Sequence, residues 1–160
     1  MAHEQWVGGD SARILVLEDD PTLREVIGEL LEDEGYRVEV ASAGDEALEK
    51  VAALEFDLLI FDIRMEGMDG LETLARMLQR GARFPSLAIT GFAGDDDPVR
   101  ALRLGVGDYL RKPFRPDQLL DSVNRLLLRH QADSQLEASL AGLRELVVWT
   151  SQSLGLETNQ

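Results

Sequence analysis

Five polar side chains end or follow stretches that are otherwise apolar, and their chemistries are complementary. Glu18 and Asp19 follow the run Ile14-Leu15-Val16-Leu17, and Asp62 ends Leu58-Leu59-Ile60-Phe61. Thr90 ends Leu87-Ala88-Ile89, and Lys112 follows Tyr109-Leu110-Arg111. An unpaired carboxylate closing so apolar a run is costly, which sets Asp62 apart from ordinary surface acid. If these ends lie side by side, the carboxylates crowd one another. At ~4 Å and an effective dielectric near 20, each like-charge pair costs about 4 kcal/mol. A hard divalent cation offsets that cost, and Mg²⁺ suits an all-oxygen site of one or two carboxylates, waters and a substrate phosphate. Lys112 brings a further positive charge and Thr90 a hydroxyl. Together they describe a cradle for a phosphoryl group whose acceptor is a carboxylate. Singly, each residue has a plainer explanation: Thr90 as a β-branched strand residue, Lys112 as a surface lysine, Asp20 before Pro21 as a helix cap. The convergence carries the argument.

What must position these groups is a series of strand and helix units. Short apolar runs alternate with helical stripes every twenty to thirty residues or so, the pattern of repeated βα units on a parallel sheet. The spacing predicts strands at Ile14 to Leu17, Tyr36 to Ala41, Leu58 to Asp62, Leu87 to Thr90 and Tyr109 to Arg111. Helices are expected from Pro21 to a stop at Gly35, Asp45 to Leu54, Leu71 to Arg80, Val99 to Leu104, and Pro116 to about Arg129. Asp97 as N-cap and Pro98 in the first turn explain the aspartates before the fourth helix without further chemistry. With right-handed crossovers, five such units give an open, doubly wound α/β sheet with helices on both faces, and the fold expected is the flavodoxin-like one, of strand order 2-1-3-4-5. Strands one and three are then neighbours, and ligands gather at the carboxyl ends of the strands.

Composition narrows the partners. The 160 residues carry 30 acidic against 16 basic side chains, a net charge of −14. Phosphate backbones repel such a surface, so direct nucleic-acid binding is not expected. There is no cysteine, which removes disulfides and thiolate metal sites and suits a reducing cytoplasm. No apolar run approaches the ~20 residues that span a bilayer. Residues 1–12 read as a loose tail rather than a signal peptide.

The linked set Ile14-Leu15-Val16-Leu17-Glu18-Asp19-Asp20-Pro21, Phe56-Asp57-Leu58-Leu59-Ile60-Phe61-Asp62, Met68-Asp69-Gly70, Ile89-Thr90 and Lys112-Pro113-Phe114 resembles the receiver domains of two-component response regulators. The likeness runs from about Arg13 to Arg129, and all the pieces occur in order. It implies a phosphorylation-dependent switch in which Asp62 accepts a phosphoryl group from a sensor histidine kinase or a histidine phosphotransfer protein. It further implies that Asp19, Asp62 and the backbone carbonyl of Arg64 hold Mg²⁺, with Glu18 acting through water. Lys112 and Thr90 then meet phosphoryl oxygens, Gly91 lies beside them, and Tyr109 matches an aromatic that turns inward with the threonine. The family's peptide bond before the proline at position 113 is usually cis. Two departures stand out: Glu18 where many members have Asp, and Gly91 where Ala is usual. Arg64 and Phe92 occupy positions that tune the lifetime of the aspartyl phosphate in the family. A haloacid-dehalogenase-type phosphatase also uses a carboxylate nucleophile with Mg²⁺, but wants a second Asp two residues on, where this chain has Arg64. A receiver-like module that no longer accepts phosphate is the other alternative, and the intact polar set speaks against it.

Beyond Arg129 the character changes. Residues 130–134 are polar; then Leu136, Leu140, Leu143 and Val147 recur on one helix face. The extension 130–160 either packs back on the receiver or pairs two protomers through the 134–150 helix; a homodimer through the receiver face made by helix four, strand five and helix five is the other expectation. Trp149 could anchor either contact. It is too short for a winged helix and poor in basic residues, so an output effector is not expected within it.

Overall fold

In the computed structural model, which describes residues 11–91 and 96–153, the chain divides into two compact units, 1–127 and 128–160. The first holds five strands and their helices: β1 (Arg13–Leu17), α1 (Pro21–Asp33), β2 (Arg37–Ala41), α2 (Gly44–Ala53), β3 (Leu58–Asp62), α3 (Gly70–Gln79), β4 (Ser86–Thr90), α4 (Asp97–Arg103) and β5 (Asp108–Arg111). The last helix, α5, is Pro116–Ser153. All strand pairs are parallel, in the expected order β2-β1-β3-β4-β5.

Burial on both faces explains why β1, β3 and β4 read as continuous apolar runs. Successive side chains point to opposite sides of a strand. Leu15, Leu17, Leu59, Phe61 and Ala88 therefore pack with Ala47 and Leu48 of α2 and Leu71, Leu74 and Met77 of α3. Ile14, Val16, Leu58, Ile60, Leu87 and Ile89 face the other way, against Ile27 and Leu31 of α1 and Leu119, Val123, Leu126 and Leu127 of α5. Ala12, read as part of a tail, is buried with this second group, and its carbonyl accepts the Arg37 amide at 2.9 Å.

Local chemistry sets the helix ends. Asp20 caps α1, its side chain accepting the amides of Thr22 and Leu23. Gly35, at φ 90°, ends that helix in the left-handed region a glycine tolerates. The fourth helix differs from expectation. Asp96 is its N-cap and makes no side-chain cap bond, while Asp97 lies within the first turn with its side chain drawn into ion pairs. The expected stop near Arg129 is also corrected, because α5 runs without interruption through 130–134. Polar His130, Gln131, Asp133 and Ser134 lower helix propensity only modestly, and neither Gly nor Pro occurs between Pro116 and Gly142.

Gly70 matters most for placing the site. A Cβ there would lie 2.0 Å from the Asp62 carbonyl oxygen and 2.6 Å from the Phe61 ring. Only a hydrogen lets the start of α3 approach the end of β3 so closely. Gly70→Ala is expected to lower stability by about 1–3 kcal/mol through this overpacking. Urea unfolding should show a lower midpoint at an unchanged slope, and an unchanged midpoint would contradict the packing described.

Candidate functional site

The adjacency of β1 and β3 brings the first acidic residues together. Leu17 is in register with Phe61, so Glu18 and Asp19 leave β1 beside Asp62. One carboxylate oxygen from each of Glu18, Asp19 and Asp62 lies within 4.8 Å of the others, a set able to hold a metal ion. Glu18 and Asp62 are buried, at 2% and 5% exposure, while Asp19 is open to solvent. That combination gives hard oxygen ligands with an entry path.

Lys112 supplies the counter-charge. Its Nζ lies 2.9 Å from Glu18 Oε2 and 2.8 Å from Asp62 Oδ2, bridging two elements 94 and 50 residues away in sequence. The Lys112 amide also donates to the Thr90 carbonyl at 2.8 Å, which fixes the end of β5 against β4. The Lys112-Pro113 peptide is cis, as the resemblance implied. Main-chain donors complete the carboxylates: the Arg64 amide reaches Asp62 Oδ1 at 3.0 Å and the Asp20 amide reaches Glu18 Oε1 at 3.1 Å.

Burial lifts the Glu18 carboxyl above the ordinary glutamate value, and the nearby Asp62 charge adds to the lift. Hydrogen bonds from Lys112 and the Asp20 amide oppose it without cancelling it. Burial alone would pull the Lys112 ammonium down. Its hydrogen bonds to Asp62 and Glu18, with their charges, outweigh burial and hold it above the ordinary lysine value. The site thus keeps its cation and strains against its second carboxylate.

Thr90 is buried at the end of β4, one strand from Asp62, which is in register with Ile89. A Cβ on Gly91 would meet the Lys112 stem at 3.7 and 3.8 Å, ordinary contact, so the usual alanine fits this backbone. Tyr109 stands on β5 in register with Ala88. Its side chain is half-buried and its hydroxyl is sealed from solvent without a well-formed hydrogen bond among the described residues. Burial raises its pKa, and Thr90 is near enough to temper that rise. Phe92 lies outside the described residues.

Asp97 was the residue missed. It is 2% exposed and pairs with Arg64 at 2.8 Å and Arg100 at 3.4 Å. Arg100 also pairs with Asp69 at 3.1 Å, the N-cap of α3. The loop after Asp62 is therefore tied to the start of α4 by two arginines. The spacing of Asp97 and Arg100, three apart on one helix, was the available signal, though nothing in sequence points to Arg64 as the second partner.

Comparison with known proteins agrees with this geometry. The family model for the response regulator receiver domain matches residues 14–124. The chain is 37% identical over 127 residues to the transcriptional regulatory protein DltR of Streptococcus agalactiae, covering 79% of this chain and 55% of that one. It is 36% identical over 136 residues to the response regulator MprA of Mycobacterium leprae, covering 85% and 60% respectively. It thus spans little more than half the length of these relatives. Among solved structures, a CheY-like receiver from Methanospirillum hungatei superposes with a TM-score of 0.75 at 31% identity, covering 78% of this chain and 99% of that one. The TrrA response regulator of Thermotoga maritima, solved with Mg²⁺ and BeF, gives 0.65 at 32% identity, covering 72% and 98%. With its sheet order, its acidic rim and a family match over most of its length, the chain belongs to the response regulator receiver domains.

Proposed function

We propose that Asp62 is the phosphoacceptor and that Asp19, Asp62 and the backbone carbonyl of Arg64 hold Mg²⁺, with Glu18 acting through water. The observation that carries this reading is the Lys112 ammonium held between Glu18 and Asp62, with Asp19 completing a metal-capable set. A bound Mg²⁺ would neutralise the crowded carboxylates and the charge that develops on the phosphoryl oxygens. An Asp62 oxygen attacks phosphorus, the bond from phosphorus to the donor's imidazole nitrogen breaks, and that nitrogen keeps the electron pair. Lys112, already in reach of Asp62, turns its ammonium to a phosphoryl oxygen. Thr90, buried on the adjacent strand, offers its hydroxyl to another, and Tyr109 follows it on β5. The donor is a sensor histidine kinase or a histidine phosphotransfer protein, and the setting is the cytoplasm, both on the strength of family membership. Among the described residues no helix is long and apolar enough to cross a membrane.

Incubation with acetyl phosphate and Mg²⁺, followed by intact-mass measurement, is expected to add one phosphoryl group to the wild type and none to Asp62→Asn. Chelation of Mg²⁺ should abolish the gain. Labelling of the Asn variant at the same rate would overturn the assignment of Asp62.

The lifted Glu18 carboxyl gives a second test. A carboxyl raised in the folded protein takes up its proton at a higher pH than a free glutamate. Metal binding needs the ionised form. Apparent Mg²⁺ affinity should therefore fall with acidification before the ordinary glutamate range is reached. In Glu18→Gln the affinity should be lower at neutral pH and that part of the pH dependence flatter. Calorimetric titration with Mg²⁺ across pH measures both, and identical pH profiles would count against a role for Glu18.

A further inference from the structure

The second compact unit carries an apolar stripe that the phosphoacceptor site does not use. On α5, Leu136, Leu140, Leu143 and Val147 are 60%, 48%, 59% and 63% exposed. Their spacings of four, three and four place them at alternating d and a positions of a heptad. Continuing that register puts Asp133 at an a position, Thr150 at d, and both Glu137 and Arg144 at the flanking e positions. Leu146, 58% exposed, falls at g and widens the apolar face.

The charges discriminate between the two ways a second copy can lie along this face. In a parallel, in-register pair, Asp133 faces Asp133 across the seam, a like-charge contact. Glu137 and Arg144 then meet only Ala132 and Ser139, and no opposite charges pair. In an antiparallel pair with Leu140 opposite Leu143, Leu136 falls opposite Val147, and Asp133 falls opposite the uncharged Thr150 rather than opposite another aspartate. The same register sets Glu137 opposite Arg144, and the two-fold axis repeats that ion pair. One alignment thus matches every apolar layer and pairs the two charges that flank the seam.

We propose that residues 133–150 bind the same segment of a second copy of this chain as an antiparallel two-helix seam, with the two-fold axis between Ala141 and Gly142. The seam lies wholly outside the phosphoacceptor site and forms without phosphorylation. Its buried length is modest, so the dimer dissociates on dilution.

Sedimentation velocity of the full chain over a concentration series, without phosphodonor, is expected to show a monomer–dimer equilibrium. Leu140→Glu should shift it to monomer. Glu137→Arg, which sets two arginines together at each end, should weaken association by about tenfold. Adding Arg144→Glu to that variant should restore it. Because the chain has no cysteine, disulfide trapping reads the orientation directly. An equal mixture of Leu136→Cys and Val147→Cys proteins should cross-link between the two variants, and neither alone should cross-link with itself. A monomer at every concentration, failure of the charge reversal to rescue, or self-cross-linking of Leu136→Cys would each overturn the proposal. Phosphorylation by acetyl phosphate, measured on the same variants, should persist. Its persistence alongside lost association separates this seam from the phosphoacceptor reading.

Discussion

The molecule is organised around one electrostatic constraint: three carboxylates converge on a rim where two of them are almost fully buried. Such a cluster is unstable without positive charge, and the fold provides it from a distant strand. In the order β2-β1-β3-β4-β5, β5 stands two places from β3. A short side chain there could not reach Asp62. The long, narrow stem of a lysine can, and it ends in a compact ammonium that serves both Glu18 and Asp62. The bond from the Lys112 amide to the Thr90 carbonyl keeps that reach in register, because any slip of β5 would carry the ammonium away with it.

The constraint also explains the backbone around the rim. The end of β3 must turn Asp62 toward the rim while burying Phe61, and α3 begins almost on top of the Asp62 carbonyl, which is the reason for glycine at position 70. The Arg64 amide, turned back to Asp62 Oδ1, occupies one carboxylate oxygen and leaves the other to Lys112. Each oxygen of the buried carboxylate thus has a partner, which keeps an ionised group tolerable there.

Much of this was legible in the sequence because it follows from short-range pattern. A strand buried on both faces must be apolar throughout, so β1, β3 and β4 announce themselves, and the polar residues at their ends mark the rim. Right-handed crossovers required an open parallel sheet with helices on both faces, and the order came from taking that sheet as flavodoxin-like. What escaped had no such signature. Asp97 sits in a run of three aspartates and looks like a helix cap, yet its partner Arg64 lies in a loop 33 residues earlier, and no periodicity links them. The length of α5 escaped for the opposite reason. Residues 130–134 are polar enough to suggest a break, but polarity alone does not stop a helix, whereas an interior proline would. The apolar stripe beyond was read correctly as a face, and its charges became informative only once a single continuous helix fixed their register.

The pairing of Asp97 bears on how rigid the connection from Asp62 to α4 is. A carboxylate 2% exposed cannot lose its cations cheaply, since an uncompensated buried charge costs several kcal/mol, whereas a surface pair contributes about 1 kcal/mol or less. Arg64 holds Asp97 with its side chain and Asp62 with its main-chain amide. Arg100 holds Asp97 and Asp69 together. The start of α4 is therefore fastened to the loop that follows Asp62 by contacts the helix cannot readily give up. Its own packing is thin by comparison, with Ala101 its one buried apolar side chain. For this helix, position is set by ion pairs to the loop beside Asp62 more than by a hydrophobic face, so its placement depends on where Arg64 is held.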